Sequence, residues 1–389
     1  MTLQSTRILV TGIGGAGCRI LDTMAQSGMT GPFYAAVSTD SKALAGCRVG
    51  TRQRIGTQRD VSFGTGEDVE RGRQAAEESQ ADLVRLFSNL DLAFMVGGLG
   101  GGTGSGAMPV ACRIAREQGA MVMAVVALPF EFEGQARADL ARSALDAVRA
   151  ESDLMVVIPN DRVTDGNASR LKDAFARSSD LMANLVFGLW RSLSKPGHLN
   201  FDFDDLRAMV RETGGTCTAG FGDAVGRDRS IEALNALMQG RLLDGGQRLQ
   251  DASAAIISMV GGPDLSVGEV DGVMTGITAR LPATARSLLG VMIDDGWRNR
   301  LTVTVLVSEA WGTPRPRQEE TSTPPVAGAR SADRGSSRKR PPKPPDRQQK
   351  LKLDFVEDGP FRNAPATHLG GQNLDTPTYL RRSISIRDG

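Results

Sequence analysis

The 389 residues, 40% apolar and 23% charged, exceed the roughly 250–300 at which a single core stops growing, so two cores plus extensions are expected. Forty-six Lys and Arg against 45 Asp and Glu leave a net charge of +1, which argues against nucleic acid or a membrane surface as a partner of the whole chain. Four scattered cysteines (Cys18, Cys47, Cys112, Cys217) and the histidines His198 and His368 form no CxxC or Cys/His cluster, which disfavours a structural zinc site or a disulfide framework. No stretch approaches about 20 apolar residues and the start MTLQSTRILVTG lacks a signal-peptide pattern, so a cytoplasmic protein without membrane insertion is expected.

In chain order, Arg7–Val10 reads as a buried strand that runs into Gly12-Ile13-Gly14-Gly15-Ala16-Gly17. Ile20, Leu21 and Met24 then recur at helical spacing. Phe33–Val37 is a second apolar run, ending in Ser38-Thr39-Asp40, and Ala81–Ser88 reads as a helix leading to the strand Leu92–Val96. Next come the glycine stretch Gly97–Gly106, a helix at Val110–Glu117, a strand at Met121–Leu128, a helix at Ala136–Glu151 and a strand at Leu154–Ile158. Apolar runs alternating with helical patterns imply a parallel sheet with helices on both faces.

A long helix is expected from about Asp173 to Leu193, stopped by Lys195-Pro196-Gly197. A second α/β domain follows: a helix near Ile231–Met238, strands at Ala254–Val260, Ser287–Met292 and Leu301–Val307, and a helix near Val267–Ala279. From Thr313 to Lys350 there are eight prolines, ten Lys or Arg and four Asp or Glu. Such a segment buries too little apolar surface to offset ordering entropy and reads as a disordered basic linker. The terminal LDTPTYLRRSI reads as a partner-binding peptide.

Both glycine stretches follow a strand and precede a helix. Bare backbone there can approach a phosphate and point N–H groups at it, with the helix N-terminus adding positive charge. Thr103 and Ser105 supply hydroxyls to the same oxygens. The first stretch alone would suit a dinucleotide-binding Rossmann domain, but a second and richer one about 85 residues on does not. No lysine follows the glycines, so a Walker P-loop is disfavoured as well.

GGLGGGTGSG, Gly97–Gly106, resembles the tubulin signature, and the wider set resembles FtsZ, the bacterial tubulin relative of the division ring. The further matching pieces are GIGGAG, AVSTD at Ala36–Asp40, GEDVERGR at Gly66–Arg73, PFEFEGQAR at Pro129–Arg137, IPND at Ile158–Asp161 and NFDFDDLR at Asn200–Arg207. They span roughly Arg7 to Val307 in family order. The resemblance implies a Rossmann-like parallel-sheet GTPase domain (1–178), a central helix and catalytic loop (179–204) and a C-terminal α/β domain (205–312). A disordered basic, Pro-rich linker (313–372) and a terminal peptide (373–389) complete this α/β, tubulin/FtsZ-like architecture.

By the same resemblance, Gly14, Gly15, Ala16, Gly17, Gly101, Gly102, Thr103, Gly104 and Ser105 hold the phosphates of GTP or GDP with Mg2+, while Glu133 and Arg137 contact the ribose. Asn200, Asp202 and Asp205 belong to a loop that completes the neighbouring subunit's site. Asp202 and Asp205 orient the attacking water, and hydrolysis awaits head-to-tail polymerisation. Read as residues alone, those two aspartates equally suit capping of the following helix, a role open to Asp204 too. Asp375, Pro377, Tyr379, Leu380 and Arg381 match the family's tail peptide, which implies membrane-anchored division adaptors as partners and a position at the division site.

The base-reading positions depart from the family. Arg19 stands where Asn is usual, and Phe175 keeps the aromatic that packs on the base. Ser179, followed by Asp180, stands where Asn or Asp reads guanine. Arg19 can donate but not accept, so the phosphates are better provided for than the base. Two alternatives accompany the division GTPase: a divergent FtsZ-like filament protein outside the main ring, and a nicotinamide-dependent Rossmann enzyme.

Overall fold

The first strand, β1 (Ile8–Ile13), is an unbroken apolar run because both of its faces are covered. Ile8 and Val10 point into one core cluster, Leu9 and Ile13 into another. The computed structural model describes residues 6–27, 31–56, 64–163, 170–194, 199, 201–213, 215–309, 368–369 and 372–373.

After β1 come α1 (Gly14–Gln26), β2 (Phe33–Ser38), α2 (Ser41–Gly46), β3 (Thr51–Arg54), α3 (Val69–Glu78) and α4 (Gln80–Phe87). Then follow β4 (Leu92–Gly98), α5 (Gly102–Glu117), β5 (Met121–Leu128), α6 (Gln135–Glu151), β6 (Leu154–Pro159), α7 (Asn160–Val163) and α8 (Leu171–Ser194). The last part holds α9 (Phe203–Thr213), β7 (Gly215–Val225), α10 (Arg229–Gln239), β8 (Ala252–Gly261), α11 (Val267–Thr278), β9 (Arg286–Ile293) and β10 (Arg300–Glu309).

These ten strands form one sheet in the order β3-β2-β1-β4-β5-β6-β7-β10-β8-β9. Pairing is parallel from β3 through β7, antiparallel on both sides of β10, and parallel again between β8 and β9. The alternation seen in β1 recurs in β4, where Leu92, Phe94 and Val96 face one cluster and Ala93 and Met95 the other. This two-sided burial is why these strands read as continuous apolar runs and not as alternating ones.

Helix α8 lies on the face that also receives α1. Its Met182, Leu185, Val186, Leu189 and Trp190 share one cluster with Leu21 of α1, Ile256 of β8 and Leu306 of β10. A single helix thus seals the parallel and the mixed part of the sheet. It starts at Leu171, so the expected boundary at 178/179 falls inside it, and α9 likewise crosses the expected boundary at 204/205. The described residues up to Glu309 belong to one compact unit. In the other unit, which begins at Glu319, His368–Leu369 pairs antiparallel with Gln372–Asn373. Those pairs sit in and at the edge of the segment expected to be structureless, and the rest of 313–389 lies outside the described residues.

Two expectations are corrected by packing. The strand β7 was not among the expected elements, because its small residues GTCTAGFGDAV carry little apolar signal. They are small because α10 lies against them: a Cβ on Gly222 would meet the Ala233 carbonyl oxygen at 2.0 Å. Helix α5 starts at Gly102, eight residues before the expected Val110, so the glycine stretch is mostly helix and the connection shrinks to Leu99–Gly101.

Candidate functional site

In the sheet order, β1 lies between β2 and β4, so the winding direction reverses there, with Ile13 beside Gly97 in register. Open α/β sheets bind ligands at such a switch point, beyond the carboxyl ends of the strands. Both glycine stretches emerge at this place. Gly14, at φ 72°, and Gly100, at φ 96°, make the turns in a left-handed conformation that a side chain would strain.

The helices leaving these turns start bare. Neither α1 nor α5 has a side-chain N-cap, and neither carries an acid in its first turn. An uncapped first turn leaves four N–H groups unsatisfied at the positive end of the helix, a standing site for an anion. The two helix starts open into one cavity of about 380 Å3. Its phosphate-side lining is Gly14, Gly15, Ala16, Gly101, Gly102, Thr103 and Gly104.

Two of the expected phosphate residues sit behind the lining. Gly17 packs the helix on β1 and β4, since a Cβ there would lie 2.5 Å from the Gly12 carbonyl carbon and 2.7 Å from the Val96 carbonyl oxygen. Ser105 is buried and its Oγ accepts the Gly100 N–H at 2.8 Å, so it shapes the loop. The Thr103 hydroxyl lies 2.7 Å from that of Thr39 and 3.0 Å from that of Thr65. This hydroxyl triad ties the loop to two neighbouring segments. Burial pushes the thiol of Cys18 up to about 12, and contact with Cys47 adds to the effect. Neither thiol lines the cavity.

Glu133 and Arg137 both line the cavity, as expected of ribose contacts. They pair at 2.8 Å, while the other Glu133 oxygen accepts the Phe130 N–H at 2.8 Å. Arg137 Nη2 stands 3.7 Å from the place a Gly101 Cβ would occupy, and its buried Nε–H has no partner among the described residues. A buried unpaired donor costs on the order of 1–3 kcal/mol, and a ligand oxygen would relieve it.

Of the residues expected to read the base, Arg19, Phe175 and Ser179 line the cavity, whereas Asp180 does not and is exposed. The Phe175 ring is held edge-on by Phe130 at 5.1 Å, and Phe130 stacks on Phe132. Ser179 Oγ donates to the Phe175 carbonyl oxygen at 3.1 Å, which leaves it an acceptor toward any ligand.

Asp40, Thr65, Asn160 and Ser178 also line the cavity and are among the lining residues that escaped the residue-by-residue reading. Ser178 Oγ donates to Asn160 Oδ1 at 2.7 Å, both buried, so the Asn160 amide N–H2 remains available. Asp40 and Asn160 stand in AVSTD and IPND, and their motifs were the available signal.

Asp202 and Asp205 are not part of this lining. The Asp205 N–H donates to Asp202 Oδ1 at 2.7 Å and the Asp202 N–H to Asp205 Oδ2 at 3.2 Å. This reciprocal box starts α9, so the pair performs the capping also open to Asp204. Asn200 and the tail residues Asp375, Pro377, Tyr379, Leu380 and Arg381 lie outside the described residues. Among the described residues, no group of three His, Cys, Asp or Glu side chains could hold a metal, and no helix is long and apolar enough to cross a membrane.

Comparison with known proteins follows the same division of the chain. The GTPase-domain model of the Tubulin/FtsZ family matches residues 7–167, and the C-terminal-domain model of the FtsZ family matches 215–310. Cell division protein FtsZ 1 of Halobacterium salinarum is 34% identical over 304 residues, covering 78% of this chain and 76% of that protein. The chain belongs to the FtsZ family.

The solved FtsZ dimer of M. jannaschii superposes with a TM-score of 0.74 at 30% identity, covering 84% of this chain and 96% of that one. The CetZ2 protofilament of Haloferax volcanii, at 23% identity and a TM-score of 0.65 over 78% and 93% of the two chains, shares the fold. As an FtsZ-family member the chain carries a GTPase domain over residues 7–167, a stretch that includes both glycine turns. The nicotinamide-dependent alternative falls with that assignment.

Proposed function

We propose that this chain binds GTP at the β1/β4 switch point, hydrolyses it to GDP and phosphate, and polymerises head to tail into filaments that scaffold cell division. The observation that carries the reading is the pair of uncapped helix starts, α1 and α5, opening into one cavity. Their N–H groups are fixed dipoles aimed where phosphate charge sits and where more of it develops as the β–γ bond breaks.

Hydrolysis needs an attacking water aligned with that bond, and both carboxylates of the cavity lining already hold structural contacts. Glu133 is held by Arg137, and Asp40 Oδ1 accepts the Lys42 and Ala43 N–H groups at 2.8 and 3.2 Å. The missing carboxylates are those of Asp202 and Asp205 on an adjacent copy, with Asn200 beside them. Their mutual capping uses Oδ1 of Asp202 and Oδ2 of Asp205, leaving one oxygen of each for water. Hydrolysis is therefore tied to polymerisation. Mg2+ would ride on the phosphates, which suits an ion that keeps water and phosphate oxygens and seldom needs an all-protein cage. The terminal peptide around Tyr379 would tether the filament to membrane-anchored adaptors at the division site.

A GTP-dependent sedimentation and light-scattering assay tests the reading. Wild type should form polymer with GTP, and Asp205→Ala should assemble yet lose most hydrolysis. A wild type that never forms nucleotide-dependent polymer refutes the scaffold. Wild-type turnover by Asp205→Ala refutes the role of that carboxylate. A second reading, a divergent filament protein outside the main ring, is favoured by Arg19 and Ser179 at the base-reading positions.

A further inference from the structure

We propose that Arg19 is a phosphate-binding residue of this site, not a reader of the base, and that it sets how strongly nucleotide affinity depends on charge. The assignment rests on the nucleotide reading above and concerns what one side chain does within it.

Arg19 lies one helical turn beyond Gly15, so the two share a face of α1. Its side chain runs back toward the helix start, and Nη1 is 3.9 Å from the place a Gly15 Cβ would occupy. Beyond the helix's own backbone and its chain neighbours, no other heavy atom comes within 4 Å of that place. The guanidinium therefore lies over the turn whose N–H groups face the anion, and it lines the same cavity.

The charges around it sharpen the point. The ionised side chains of the lining are Arg19, Asp40, Glu133 and Arg137. Glu133 and Arg137 neutralise one another, and Asp40, which keeps its charge, forms no ion pair among the described residues and caps the first turn of α2. The nearest acid on the same helix face, Asp22, accepts the Arg48 N–H at 2.7 Å. Arg19 has no ion pair or hydrogen bond among the described residues, so it is the cation left over at the cavity.

A guanidinium carries donors only, in a fork matched to phosphate oxygens. The guanine O6/N7 edge can accept such a fork too, so it is the position of the group over the Gly15 turn that assigns it to phosphate. At an exposed position the Coulombic part of such a contact is screened by salt. An arginine over a glycine turn thus supplies affinity for any nucleoside triphosphate, whichever base it carries.

The test measures GTP and ATP binding by competition with a fluorescent GTP analogue at low and high salt, for wild type, Arg19→Ala and Arg19→Lys. Arg19→Ala should weaken GTP and ATP by the same factor, about tenfold at low salt, and flatten the salt dependence. Arg19→Lys should keep part of the affinity and the salt dependence. Loss of GTP affinity alone, with ATP unchanged, would make Arg19 a base reader and overturn the proposal, as would wild-type binding by Arg19→Ala. A wild type that bound no nucleotide would overturn the nucleotide reading itself. Unchanged thermal melting of the variants, expected for an exposed residue, certifies the comparison.

Discussion

At Gly106 an added Cβ would sit 2.1 Å from the Val69 carbonyl oxygen, and at Gly72 one would meet the Gly102 carbonyl oxygen at the same distance. The backbones of α3 and α5 touch there. The abundance of glycine in GGLGGGTGSG therefore has two causes. Gly100 serves the turn, Gly102 and Gly106 keep Cβ atoms off α3 and its N-cap Asp68, and Gly104 keeps one off the Gly98 carbonyl oxygen at the end of β4. Gly106→Ala should destabilise by about 1–3 kcal/mol, as overpacking does. Gly15→Ala, whose added Cβ would meet only the Arg19 guanidinium at an ordinary contact distance of 3.9 Å, should unfold like wild type. Urea unfolding of the two variants measures the contrast, and equal midpoints would refute the packing account.

Helix α9 begins on the reciprocal hydrogen bonds of Asp202 and Asp205, so under the proposed function one pair of carboxylates has two separable tasks. Serine caps a helix about as well as aspartate, whereas alanine costs about 1 kcal/mol. Asp202→Ser should therefore melt like wild type yet lose filament-linked GTP hydrolysis. Asp202→Ala should lose both hydrolysis and some stability. If Asp202→Ser hydrolyses at the wild-type rate, capping alone explains the residue. Helices were legible wherever a one-sided apolar stripe ran long, as in α6 and α8. The sequence did not reveal β7 or the early start of α5, because small residues at tight contacts carry no periodic signal.

Across the whole sheet, the mixed part is held by a buried cation. Arg229, 3% exposed at its side chain, bonds Glu269 at 2.6 Å and Asp264 at 2.6 Å, and Asp264 also accepts the Asn299 N–H. Three turns, those before α10, before α11 and before β10, thus meet on one guanidinium. Arg229 foremost, with Ser266 also donating, holds the Glu269 carboxyl at about 2 against an ordinary 4.5. A carboxyl depressed in the folded state contributes stability that is present above its unfolded value and lost as pH falls toward the folded one. Melting temperature should accordingly drop between pH 5 and pH 2, and Glu269→Gln should melt lower at neutral pH with a shallower acid decline. An identical acid profile for the variant would refute the pair's contribution.

The sequence by itself determined the alternation of strand and helix, the two glycine turns and the order of the family's motifs, because each is written in local periodicity or in residues with unusual backbone freedom. It also marked Arg19 and Ser179 as departures. Only the tertiary structure decided which of those glycines face the cavity and which face a neighbouring helix. It alone placed Ser105 beneath the loop, Ser178 against Asn160 and the Arg19 guanidinium over Gly15. Those outcomes depend on what lies opposite each residue across the fold, and contacts between segments far apart in the chain leave no mark on the spacing within either one.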